Sequence, residues 1–112
     1  MQDESVFVEY FGGSPLIRIM DFLIAGKDFD YSRKEIAEGT NVSRASFNGA
    51  WKKLLAKKVV VPASKMGRVK RFKLNLVDPM VKKLVQFDWE ITKIETDKLL
   101  SEFKIADAEG LL

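Results

Sequence analysis

The chain has 112 residues, 46% of them hydrophobic and 31% charged, with 19 Lys or Arg against 16 Asp or Glu. That fits one domain with a modest core and is too apolar for a disordered chain. Cys and His are both absent, which excludes disulfides, thiolate metal sites and the commonest general base. The acidic start Met1-Gln2-Asp3-Glu4 and the shortness of every apolar run argue against a secretory signal or a membrane span, so a cytoplasmic address is expected.

In chain order, Val6, Phe7, Tyr10 and Phe11 fit one face of a short helix, with a strand as the alternative, and Gly12-Gly13 ends the segment. Ser14-Pro15 then supplies a capping oxygen and a ring suited to the first helical position, ahead of Leu16, Ile19, Met20 and Leu23 at helical spacing up to Gly26. After a loop over 27–30, "SRKE" at Ser32 to Glu35 has the spacing of a capping box opening a helix of about two turns. A tight connection, "GTNV", leads to a further helix capped by Ser43. Its residues Phe47, Ala50, Trp51 and Leu54 form the buried stripe, and Arg44, Ala45, Asn48, Gly49 and Lys52 the opposite face.

Beyond Lys57-Lys58 the period changes. "VVVPAS" is β-branched and stopped by Pro62, Phe72, Leu74 and Leu76 alternate with polar neighbours, and "KMGR" between them makes a hairpin tip with Gly67 at positive φ. Asp78-Pro79 repeats the cap-plus-proline start. Met80, Leu84, Phe87, Ile91 and Ile94 follow at spacings of four, three, four and three on a helix expected to run to about Leu100. The boundaries are an N-terminal segment over 6–13, a helix-turn-helix with wing over 14–77, a dimerisation helix over 78–100 and a fraying tail over 101–112. The fold class is mainly α with a small β-hairpin, a winged helix-turn-helix with a long C-terminal dimerisation helix.

Charge is segregated along this plan. From Gly39 to Val77 stand Arg44, Lys52, Lys53, Lys57, Lys58, Lys65, Arg68, Lys70, Arg71 and Lys73, with no acid between Glu38 and Asp78. Ten like charges on a reading helix and a wing point to a polyanion. Within the motif, Ala37 permits close approach where two helices cross, Val42 plugs the turn, and Asn41 takes the turn position that favours a left-handed backbone.

The stretches "YFGGSPLIRIMDFLI", "DYSRKEIAEGTNVSRASF", "WKKLLAKKVVVPASKMGRVKRFKLN" and "DPMVKKLVQFD" together resemble the winged helix-turn-helix transcription regulators of archaea, broadly related to the bacterial MarR-like and ArsR-like repressors. The resemblance covers residues 6 to 90. It implies a homodimer on double-stranded DNA, with the Ser43 helix in the major groove and the wing along the backbone. Carried over by position, Arg44, Ala45, Asn48 and Gly49 face base edges, while Ser43, Ser46, Lys52 and Lys53 sit near phosphate. Gly49 departs from the larger polar residue often found there. Unlike metal-sensing relatives, the chain lacks Cys and His, and no cofactor is implied.

The side-chain chemistry suits those roles. Arg44 can offer a bidentate fork to guanine, and Asn48 one turn later can pair in two places with adenine. Lys52 and Lys53 continue toward the flanking strand, and Lys65, Arg68, Lys70 and Arg71 surround or follow Gly67 in the wing. Trp51 belongs to the core rather than to a stacking platform. Met80, Leu84, Phe87, Ile91 and Ile94 are expected at a dimer interface, because Trp89, Leu99 and Leu100 leave more apolar surface than one small domain covers. The alternative reading is a winged-helix protein-interaction module of a transcription or replication assembly. An RNA-binding role lacks stacking aromatics on the basic face, and an enzyme lacks a nucleophile, a phosphate-cradling loop and a carboxylate pair.

Overall fold

Side-chain caps divide the chain into five helices and one hairpin in the computed structural model, which describes residues 4–110, with the side chains of residues 65 and 66 left aside. The elements are α1 (Val6–Phe11), α2 (Pro15–Ala25), α3 (Arg33–Thr40), α4 (Arg44–Ala56), β1 (Val60–Met66), β2 (Val69–Leu74) and α5 (Pro79–Ala108). Each helix starts where a short polar side chain accepts from a backbone N–H of the first turn: Ser5, Ser14, Ser32, Ser43 and Asp78. At α3 the capping box is complete, with the Glu35 carboxylate accepting from the Ser32 N–H at 2.8 Å and Ser32 Oγ from the Glu35 N–H at 3.1 Å. The N-terminal segment is helical, not extended.

Between α3 and α4, Asn41 adopts the left-handed backbone (φ 54°) that lets the chain reverse direction. At the far end of α4, Lys58 does the same (φ 58°). The Val59 N–H reaches back to the Leu54 carbonyl and the Lys58 N–H to that of Leu55, both at 3.0 Å. This Schellman closure turns the buried Val59 into the core and launches the hairpin.

One cluster forms the core. Ile19, Leu23 and Ile24 of α2, Ile36 of α3, Phe47, Trp51 and Leu54 of α4, Val60, Phe72 and Leu74 of the hairpin and Val81 of α5 are all buried together with Phe7 of α1. Trp51 sits at its centre, stacked on Phe47 at 5.4 Å and edge-on to Phe72 at 5.1 Å between ring centroids. Ala37 and Val42 pack against the same cluster. Helix α3 also comes close to α2 at Gly39: a Cβ there would collide with the Phe22 ring, itself set edge-on to Tyr31 at 4.9 Å. Gly39→Ala is therefore expected to lower stability by about 1–2 kcal/mol in urea denaturation, overpacking outweighing the gain in helix propensity. An unchanged or raised midpoint would show that Phe22 moves aside freely.

The hairpin pairs antiparallel, Val60 opposite Leu74 and Met66 opposite Val69, with the register broken between Pro62 and Lys65. Pro62 does not stop β1, contrary to the expectation from its missing N–H. Pro62 stands on the edge strand opposite Phe72, whose N–H and C=O point away to Tyr31, so the ring forfeits no bond to β2 and the strand resumes after the irregularity. Leu76 lies past the end of β2 in a turn and is partly exposed. Gly67 takes positive φ (62°) at the tip, as its place in "KMGR" requires. A third backbone segment joins the sheet, since Tyr31 and Phe72 exchange N–H···O bonds of 2.8 and 2.7 Å.

The last helix continues to Ala108, past the expected end near Leu100, so most of the anticipated tail is helical. After Pro79 at its first position it carries no Gly or Pro before Gly110, and only the apolar pattern, not the helix, weakens after Leu100. Helix α1 lies on α5, with Phe11 and Phe87 in ring contact at 5.8 Å and the Tyr10 hydroxyl donating to Glu95 at 3.0 Å. The thirty-residue rod accounts for the elongated extents of 59 × 30 × 24 Å. No helix among the described residues is long and apolar enough to cross a membrane.

Candidate nucleic-acid interface

The helix-turn-helix presents α4 beside α3 with an open crease of about 980 Å³ between them, lined by Arg33, Lys34, Arg44, Asn48 and Lys52 along with the backing residues Ala37 and Phe47. A second hollow, between the α3 start and the base of the wing, is lined by Arg33 and Lys34 again and by Lys70. The two depressions share Arg33 and Lys34, so cations of α3, α4 and β2, namely Arg33, Lys34, Arg44, Lys52 and Lys70, line two adjoining hollows, with Glu38 among them in the first and apolar Leu55, Val69 and Phe72 in the second. All five cations are exposed. Among the described residues, none of Arg33, Arg44, Lys52, Lys53, Arg68 and Lys70 has an acidic partner within the chain, which leaves their charge available to an external anion.

Ser43, Arg44, Ala45, Ser46, Asn48, Gly49, Lys52 and Lys53 are all exposed on α4, while Phe47, Trp51 and Leu54 face inward. The Ser43 hydroxyl caps the helix by accepting from the Ser46 N–H at 3.3 Å. Ala45 and Gly49 occupy the line most nearly opposite the buried stripe. Gly49 has open space where a Cβ would stand, so nothing within this chain calls for glycine at a position where it costs a helix about 1 kcal/mol relative to alanine.

In the wing, Gly67, Arg68 and Lys70 are exposed; Lys65 pairs by register with Lys70, and its side chain lies outside the described residues. Arg71 departs from the role expected of it. Its side chain is 18% exposed, with Nε donating to Asp30 Oδ1 at 2.6 Å, Nη2 to the Asp30 carbonyl at 2.9 Å and Nη1 to Glu35 Oε1 at 3.0 Å. Glu35 is held below the usual carboxylate range, first by the Ser32 backbone N–H and further by Arg71, while the hydrogen bond to Asp30 raises Arg71. The guanidinium therefore fastens β2 to the start of α3, beside the Tyr31–Phe72 backbone pair, and sets the angle of the wing to the helices.

The expected dimer residues are divided by their surroundings. Met80, Phe87 and Ile94 are exposed and Leu84 half-buried, whereas Ile91 is already buried within the chain. Farther along α5, Trp89, Leu99, Leu100, Phe103 and Ile105 are all more than half exposed. At 100° per residue Trp89, Leu100 and Phe103 fall on the side of the rod away from Phe87 and Ile94.

Two functional features escaped the sequence reading. Arg33 lies outside the Gly39–Val77 charge block and within the capping box, which accounted for its neighbours Ser32 and Glu35. Arg71 looked like one more wing cation, because its partner Asp30 is 41 positions away. The legible signal for Arg33 was its place at the first position of the helix that precedes the reading helix.

By sequence the chain matches no family model and no curated protein. Solved structures share its architecture. MepR of Staphylococcus aureus, a transcription regulator of the multidrug efflux pump MepA, is 18% identical with a TM-score of 0.60, over 85% of this chain and 69% of that one. The adhesin competence repressor AdcR of Streptococcus pyogenes is 19% identical with a TM-score of 0.57, over 81% of this chain and 72% of that one. Wild-type ZitR of Lactococcus lactis, in complex with DNA, is 20% identical with a TM-score of 0.53 over 85% and 74%. The fold is a winged helix-turn-helix of the MarR type. These neighbours are bacterial, so the MarR-like part of the resemblance has structural support and the archaeal part has none.

Proposed function

We propose that the protein is a double-stranded DNA-binding transcription regulator that acts as a homodimer, with α4 in the major groove and the wing on the backbone. The observation that carries this reading is the set of cations from Lys52 and Arg44 through Arg33 and Lys34 to Lys70 along two adjoining hollows. It lies on a helix-turn-helix whose neighbours are transcription regulators, one of them solved with DNA. Ala45 and Gly49 leave the outer line of α4 bare, so its backbone can approach the floor of a groove. Arg44 supplies a guanidinium fork for guanine, and Ser43, Ser46, Lys52, Lys53, Lys65, Arg68 and Lys70 supply phosphate contacts. Arg71 positions the wing from behind.

Dimerisation is supported by α5. A helix apolar on both sides is stable in water only when covered, and the distal half offers Ile94 and Ile105 on one side and Leu100 and Phe103 on the other. A second copy of the same chain, joined about a two-fold axis, covers both sides at once and sets two α4 helices for half-sites about 34 Å apart. An interaction module without DNA leaves the bare outer line of α4 unexplained.

The test of base reading is Arg44→Ala. Selection of sites from randomised duplexes is expected to lose preference at one position per half-site, with about 1–3 kcal/mol of discrimination removed. Lys70→Ala is expected to weaken all duplexes alike. Equal weakening of every sequence by Arg44→Ala would count against its reading role.

A further inference from the structure

Arg33 reaches across the crease from the first turn of α3 to the middle of α4. Its Nη2 donates to Asn48 Oδ1 at 2.9 Å, and its guanidinium carbon lies 5.7 Å from the centroid of the Phe47 ring. Both Arg33 and Asn48 are exposed, and both line the crease. A guanidinium has only donors, so the amide must turn its carbonyl toward Arg33. What remains to face a ligand is the NH₂ end, with its two donors, and one lone pair of an oxygen already bonded to a cation. Phe47 is buried and stacked on Trp51, which gives the guanidinium a fixed ring to rest on.

This arrangement changes what Asn48 can read. Pairing with adenine in two places needs an acceptor for N6–H₂ and a donor for N7; one lone pair of that acceptor is taken by Arg33, and the guanidinium charge beside it opposes the approach of another donor such as N6–H₂ while favouring acceptors. Two donors suit an edge made only of acceptors. In the major groove the edge with two acceptors side by side is guanine, with O6 and N7. Arg33 keeps further N–H groups free beside the same amide.

Resting on the DNA-binding reading above, we propose that Arg33 is a specificity-determining residue that holds the Asn48 carbonyl, so that Asn48 presents donors and the pair selects guanine over adenine. The half-site then carries two guanine-reading positions, one through Arg44 and one through the Arg33–Asn48 pair. Arg33 acts on the second through Asn48, as a positioning group.

The experiment is selection from randomised duplex DNA with the full chain, comparing wild type, R33A, R33K and N48A, followed by anisotropy titration of the enriched duplex and its guanine-to-adenine variant. Arg33 is exposed and its helix is held by the Ser32 capping box, so folding is expected to survive; circular dichroism of each variant checks this. Wild type is expected to favour guanine over adenine at the Asn48 position by about tenfold. N48A should lose the preference, R33A should move it toward adenine, and R33K, which keeps a donor, should restore guanine in part. Uniform weakening by R33A with base preference unchanged would make Arg33 a phosphate contact and overturn the proposal alone. So would a wild-type preference for adenine that N48A abolishes. Wild type that enriches no duplex would overturn the DNA-binding reading itself, and this proposal with it.

Discussion

Trp51→Ala is expected to destabilise the protein by about 3–5 kcal/mol, the range for removing a large aromatic from a packed core. Domains are stable by about 5–15 kcal/mol in all, so the variant should be largely unfolded at moderate temperature. The side chain is 2% exposed and joins α4 to the wing through its contacts with Phe47 and Phe72. Its removal leaves a cavity bounded by two rings on different elements, which cannot both close in. Among the described residues Trp51 Nε1 has no hydrogen-bond partner, so no polar contact to them is lost with it. Trp51→Phe, which keeps an aromatic ring and removes that unpaired donor, should cost far less than the alanine variant. Urea denaturation of both checks the ordering. Equal losses would mean that the indole matters for something other than packing.

Acids placed on α5 by the double substitution Ile94→Glu and Phe103→Glu are expected to dissociate the proposed dimer while leaving the monomer folded. Both side chains are more than half exposed in the chain by itself, at 52% and 63%, so charging them costs the monomer little. Across a two-fold interface each acid would meet apolar surface, and its desolvation would oppose association. Linked half-site binding raises affinity by about 10²–10⁴ over one site alone, so DNA affinity should fall by at least about 10²-fold. Sedimentation velocity at micromolar protein, together with anisotropy, reads both effects. A variant that keeps the wild-type mass would remove α5 from the interface.

Local signals in the sequence translated well because their causes are local. A serine or aspartate three residues before a backbone N–H, a proline at the first helical position, an asparagine at the turn and a glycine at the wing tip each act within a few residues. All of them cap or turn the chain where their spacing indicates. The inward face of α4 was legible for the same reason, since its period is that of a helix against a core.

Features that depend on distant residues were not legible. Arg71 reads as a wing cation until the fold brings Asp30 and Glu35 to it, and Asn48 reads as a free amide until Arg33 crosses from α3. Pro62 looked like a strand terminator because its missing N–H was weighed without the edge position, opposite a Phe72 bonded to Tyr31, that tolerates it. The extension of α5 to Ala108 was masked by a fading apolar pattern, although no helix-breaking residue interrupts it. Ile91 continues the heptad seam in sequence, yet it is buried within its own chain.

The most direct test of the central claim is the affinity of the intact protein for duplex DNA, measured by fluorescence anisotropy at 50 and 200 mM salt. A cationic band that neutralises six or more phosphates per dimer predicts a loss of at least about 10³-fold over that range, linear in the logarithm of salt concentration. Affinity that stays level across the range, or no binding at the lower salt, would contradict the account.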